Sequence, residues 1–200
     1  MTYGKIFCDK FIDAYKECRA LFKGESWSQI WKWNWNNFML WNPIAPQTKP
    51  LLGVVAEKMN LIWWDREPFR LDGAFIRLDS KVVGNYRLPI IVAVEHENDL
   101  RTFVQEITKL AHIRSPLKVG ITYTSPIPGP ASQQLILSSQ EKIKSVVIEI
   151  STSLNKWVGE DPQTEYVYLL GVESQPSELD WYALGFVAGS DYASGVWTKL

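Results

Sequence analysis

The stretch Leu88–Asp99 reads LPIIVAVEHEND, an apolar run that passes without a break into a cluster of acids. Ile90 to Val94 is rich in β-branched residues, the composition of a strand buried on both faces. Side chains alternate along a strand, so Glu95 and Glu97 point to one face and His96 to the other. Two carboxylates on one face at the end of a buried strand repel each other, and a divalent metal ion between them relieves that repulsion. His96 then reads as a hydrogen-bonded core or strand-end histidine, with its backbone carbonyl rather than its ring as the metal contact.

A second source of carboxylate lies upstream. Phe69–Leu78, FRLDGAFIRL, reads as a neighbouring strand with Asp72 near its middle. Gly73 beside it marks a bulge or a close backbone approach. The order Asp72, a turn, then Glu95-x-Glu97 resembles the PD-(D/E)xK nuclease superfamily, which has the restriction-endonuclease-like fold. The surrounding segments follow that fold's order of helix, three strands, helix, strand. They are a helix over Leu51–Asn60, strands over Leu61–Arg66, Phe69–Leu78 and Leu88–Glu97, a helix over Asp99–His112 and a strand over Leu117–Tyr123. Leu71 stands where the family often has Pro. Glu97 stands where the family usually has the Lys that helps activate water, although some restriction enzymes of this fold carry Glu there.

The resemblance implies a divalent-metal-dependent nuclease acting on DNA. Asp72 and Glu95 would ligate Mg²⁺ or Mn²⁺, with Glu97 binding a second ion or orienting the attacking water. A Glu on the first helix completes the acidic site in some relatives, which makes Glu57 a further candidate beside its plainer reading as a solvated helix residue. Relatives often place polar or basic groups on the second helix near the scissile phosphate. Gln105 and Lys109, one turn apart, are the residues here that match. The alternative is a catalytically inactive relative on the same fold that binds nucleic acid or protein. The missing motif Lys and a net charge of −1 support it.

The bulk composition fits an α/β domain of this size. The chain has 200 residues, 46% hydrophobic and 22% charged, which suits one soluble domain with an ample core. The near-zero net charge excludes a global positive field, so nucleic-acid binding would rest on local Lys/Arg patches or bound metal. Cys8 and Cys18 fall in one helical pattern, about 15 Å apart at the helical rise. A disulfide needs Cα atoms within about 7 Å. Reduced thiols point to the cytoplasm. The first residues carry scattered charges and no apolar core of a signal peptide, and no apolar run reaches membrane-spanning length.

The expected architecture is one domain over residues 1–200, a mixed central sheet with helices on both faces. Residues 1–46 form an N-terminal helical extension, 47–150 the nuclease-like core, and 151–200 further strands. In the extension, Ile6, Phe7, Phe11, Ile12, Tyr15, Cys18, Leu21 and Phe22 recur at helical spacing, with Gly24 as the stop. Ser26–Trp41, SWSQIWKWNWNNFMLW, fits a capped helix and an alternating strand equally well. Its tryptophans read as packing for the helix, as a stacking surface for unpaired bases or sugars, or as a patch for a homodimer or partner protein. Downstream, Asp99 is the expected cap of its helix. Ala131–Ser145 reads as a helix, and Val146–Ile150, Glu165–Val172 and Trp181–Val187 as strands. No phosphate-cradling loop, HExxH helix or nucleophile elbow is present. The three S-x-x-K matches, at Ser115, Ser139 and Ser153, carry no weight in such number.

Overall fold

A computed structural model describes residues 2–20, 39–40, 49–64, 70–77, 89–124, 131–154, 161–175, 178–187 and 195–200. Its helices are α1 (Tyr3–Ala20), α2 (Leu51–Lys58), α3 (Phe103–Ala111) and α4 (Ala131–Leu154). Its strands are β1 (Ile62–Trp64), β2 (Gly73–Ile76), β3 (Ile90–Glu97), β4 (Leu117–Thr124), β5 (Glu165–Gln175), β6 (Glu178–Val187) and β7 (Trp197–Lys199). The seven strands form one mixed sheet in sequence order. β1, β2 and β3 are antiparallel neighbours, β3, β4 and β5 are parallel, and β5, β6 and β7 are antiparallel again. Parallel neighbours need a crossover, and α3 and α4 supply the two that are required. Among the described residues no helix is long and apolar enough to cross a membrane.

Each face of the sheet buries a different pair of helices. Phe7 and Phe11 of α1 and Leu52, Val55 and Ala56 of α2 pack with Phe75, Val92, Val94, Val119, Ile121, Val167 and Trp181. On the opposite face Phe103 and Ile107 of α3 and Ile143 and Val147 of α4 pack with Tyr166, Tyr168, Leu170, Val172 and Leu184. The odd and even positions of β5 are therefore both apolar, as expected of a strand covered on both sides.

Several expectations are corrected. The residues Val146–Ile150 are not a strand, because α4 continues to Leu154. Ile143 and Val147 are buried, with Ile136, Val146 and Ile150 packed beside them, a helical stripe against the sheet. Tertiary burial there outweighs the strand preference of β-branched residues. Asp99 does not cap α3. The helix begins at Phe103, with Thr102 at the cap position and no side-chain cap. The Asp99 carbonyl instead accepts from the amides of Thr102 (3.0 Å) and Phe103 (3.1 Å), forming a separate turn ahead of the helix. Asp72 lies not mid-strand but immediately before β2. Of the Trp-rich stretch only Met39 and Leu40 are among the described residues, and both are buried. The expected Gly84-Asn85 turn lies outside the described residues.

Candidate active site

β3 positions the acids. Its register against β4 pairs Glu95 with Gly120 and Glu97 with Thr122, on the face covered by α3 and α4. Val92 and Val94 belong to the α1/α2 core, and so does Ile121, the ladder partner of His96. The alternation read from LPIIVAVEHEND therefore holds: Glu95 is fully buried on one side and the His96 ring is buried on the other.

Asp72 approaches from β2. The last ladder pair is Gly73 with Val94, so the preceding residue stands opposite Glu95. The His96 amide donates to Asp72 Oδ2 at 2.8 Å, which ties the Asp72 carboxylate to the β3 backbone beside Glu95. Gly73 is the close approach that its residue type suggested, because a Cβ there would lie 1.9 Å from the Trp63 ring. The residue two before Asp72, Arg70, has φ 66°, a left-handed conformation that costs a non-glycine residue about 1–2 kcal/mol.

α3 brings in the remaining groups. Gly120 lets it settle close to the sheet, since a Cβ there would meet Phe103 Cζ at 2.8 Å. From the last turn of α3, Lys109 Nζ lies 3.4 Å from Glu95 Oε1 and 3.5 Å from Oε2. Lys109 also pairs with Glu106, one turn earlier on the same helix. Three carboxylates and one ammonium thus meet over the middle of β3.

The electrostatics follow from that crowding. Burial pushes the Glu95 pKa far above the usual carboxylate range; a hydrogen bond that protonated Glu95 donates to Glu106 and the charges of Asp72 and Glu106 push it the same way. Lys109 opposes them without cancelling them, so the net direction for Glu95 is upward. Burial also raises Asp72, less strongly, because the His96 amide and Glu95 stabilise its charged form. For Lys109, burial lowers the pKa, but the Glu106 hydrogen bond and the charges of Glu95 and Glu106 outweigh it and raise the ammonium overall. His96 goes the other way. Burial lowers it to about 3, and its neutral ring has Nε2 3.0 Å from the Tyr123 hydroxyl.

The other sequence candidates lie as follows. Glu97 is half-buried on the Glu95 face, and its Oε1 accepts from the Asp99 amide at 2.9 Å. Gln105 is exposed on α3. Glu57 is exposed on α2 and pairs with Lys49 rather than with the other acids. Sequence reasoning missed Glu106. The i, i+3 spacing from Lys109 was the available signal. Among the described residues, no group of three or more His, Cys, Asp or Glu side chains is arranged to hold a metal ion. No protein-family model, curated protein or solved structure matches the chain.

Proposed function

We propose that the chain is a divalent-metal-dependent hydrolase of phosphodiester bonds, with DNA as its substrate and a restriction-endonuclease-like core over residues 47–150. One observation carries this reading: Asp72 ahead of β2 and Glu95 within β3 meet across an antiparallel pair, with Lys109 of the crossover helix against Glu95. The element order α2-β1-β2-β3-α3-β4 is the order of helix, three strands, helix, strand that the resemblance implies.

The donor set fits Mg²⁺ or Mn²⁺. Glu95 Oε1 is buried and makes no hydrogen bond, its ion pair with Lys109 at 3.4 Å aside, and the available donors are all oxygen. Mg²⁺ keeps several waters and binds through one or two carboxylates plus substrate phosphate, so Asp72 and Glu95, with the His96 carbonyl beside them, suffice. When bound, such an ion lowers the pKa of its water and stabilises charge on the phosphate. The chain's own groups do the rest. Asp72 is oriented by the His96 amide. Glu95 acts as a ligand in its ionised form, which the nearby Lys109 ammonium favours. Lys109 stands in for the Lys absent at position 97, holding a positive charge where phosphate charge builds up. Glu106 orients Lys109. Glu97 serves as a second-ion ligand or water-orienting group only once its carboxylate leaves the Asp99 amide.

A second reading keeps the fold without catalysis, as a DNA- or protein-binding relative. The engagement of Glu97 by the Asp99 amide favours it. Incubation with plasmid and single-stranded DNA in Mg²⁺ or Mn²⁺ separates the two. Cleavage that is lost in Asp72→Asn supports the hydrolase, and DNA retention without cleavage supports the binding protein. A cytoplasmic location is proposed with either reading, since Cys8 and Cys18 are both free thiols.

A further inference from the structure

A cavity of about 1000 Å³ opens at the end of the sheet where β4 and β5 begin. It is lined by the turn between α3 and β4, the approach to β5, the first residues of α1 and the end of β6, and none of the candidate acids lines it. Its volume matches pockets that take a small organic molecule.

The chemistry of the lining is uneven. The turn contributes Arg114 at the rim, and β4 contributes Lys118 at the floor. Lys118 is 2% exposed, with Nζ 3.2 Å from the Ala111 carbonyl and 3.1 Å from the Tyr166 hydroxyl. The lining also holds two acids, Asp161 and Glu165. Both oxygens of Glu165 are committed to the first turn of α1, accepting from the amides of Tyr3 (2.8 Å) and Gly4 (2.7 Å). The positive end of the helix dipole offsets that charge. Asp161 Oδ1 accepts from the Gln163 amide at 2.9 Å. Arg114 is exposed, and among the described residues its guanidinium has no carboxylate partner. Ile113, Pro116, Pro162 and Val187 add apolar walls.

We infer that this cavity is a binding site for a small organic anion, an apolar body ending in one carboxylate or phosphate. The anionic group pairs with the Arg114 fork, whose planar donors match either oxyanion in two-point fashion. The buried Lys118 ammonium adds positive potential behind it, and the apolar walls take the body. The site is independent of the Asp72–Glu95 chemistry.

The test uses the fluorescent probe 1-anilinonaphthalene-8-sulfonate, an apolar body with one anionic group, titrated into the full chain at fixed ionic strength. Arg114 is exposed, so Arg114→Ala leaves the fold intact, as circular dichroism will verify. The expected result is saturable binding that weakens about tenfold in Arg114→Ala, the loss of one charge-assisted pair. Octanoate or octyl phosphate should displace the probe and octanol should not, and the stronger of the two competitors identifies the preferred anion. Equal affinity in wild type and Arg114→Ala, displacement by octanol as readily as by octanoate, or no probe binding at all overturns the inference.

Discussion

Glu95 and His96 are neighbours in sequence, both buried and both ionisable, yet the structure treats them in opposite ways. His96 enters an aromatic core beside Tyr123, their ring centroids 5.4 Å apart, and Tyr123 packs in turn on Trp181. No charged group contributes to its lowered pKa; burial alone accounts for the direction. Glu95 enters a cluster of two further acids and a lysine, and its proton affinity is raised by burial and by like charge together. A core can hold a neutral imidazole at little cost. Three carboxylates around one ammonium repel one another, and that repulsion raises the proton affinity of Glu95. The first arrangement serves packing, and the second is the one on which the proposed function rests.

The largest effect should separate the two faces outright. Asp72→Asn and Glu95→Gln are each expected to abolish Mn²⁺ binding in calorimetry and DNA cleavage with it, whereas His96→Phe should leave Mn²⁺ affinity unchanged. Unaltered Mn²⁺ binding in either acid variant removes that residue from the site.

The two faces should also give opposite limbs of a stability–pH curve. The folded His96 pKa lies below its ordinary 6.5, so the unfolded chain binds more protons there. Its contribution is present above pH 6.5 and is lost as pH falls toward about 3, with a slope of up to about 1.4 kcal/mol per pH unit. The folded Glu95 pKa is raised above its ordinary 4.5, so its contribution is complete below pH 4.5 and is lost as pH rises above it. Urea denaturation across pH should show the acid limb flattened in His96→Phe and the rising-pH limb flattened in Glu95→Gln. An unchanged curve in both variants would falsify the assignment.

Independence of the faces can be probed through Gly73. A methyl group there drives into the Trp63 ring, on the aromatic side of the sheet. Gly73→Ala should cost about 1–3 kcal/mol by overpacking, read from chemical denaturation. Mn²⁺ affinity should change little if the two faces are uncoupled. The smallest effect is expected at Lys109, whose side chain is 41% exposed. Solvent screening limits the loss from Lys109→Met to about 1 kcal/mol in stability, while cleavage should fall far more than stability does. Equal cleavage by wild type and Lys109→Met would deny that residue its role as the substitute lysine.

Much of this was legible in one stretch. The apolar run before Glu95 announced a strand covered on both faces, and the period of two assigned Glu95 and His96 to opposite sides. The residue type of Gly73 announced a close approach, although the partner, Trp63, was not readable. Glu106 escaped because a helix shows its apolar stripe in sequence but not which flank of that stripe meets another charge. The length of α4 escaped for a related reason: Val146-Val147-Ile148 has strand composition, and only the cluster it joins makes it helical.

The sequence by itself determined the local periods: alternation along β3, the helical spacing of α1, and the order of helices and strands that makes an α/β sheet. These follow from backbone geometry, which is set residue by residue. Only the tertiary structure decided which groups share a dielectric environment. Asp72 meets Glu95 through the β2–β3 register, and Lys109 reaches Glu95 because Gly120 admits Phe103 and with it the whole of α3. Proton affinity depends on burial and on neighbouring charge, and both are properties of the packed molecule that no local pattern contains.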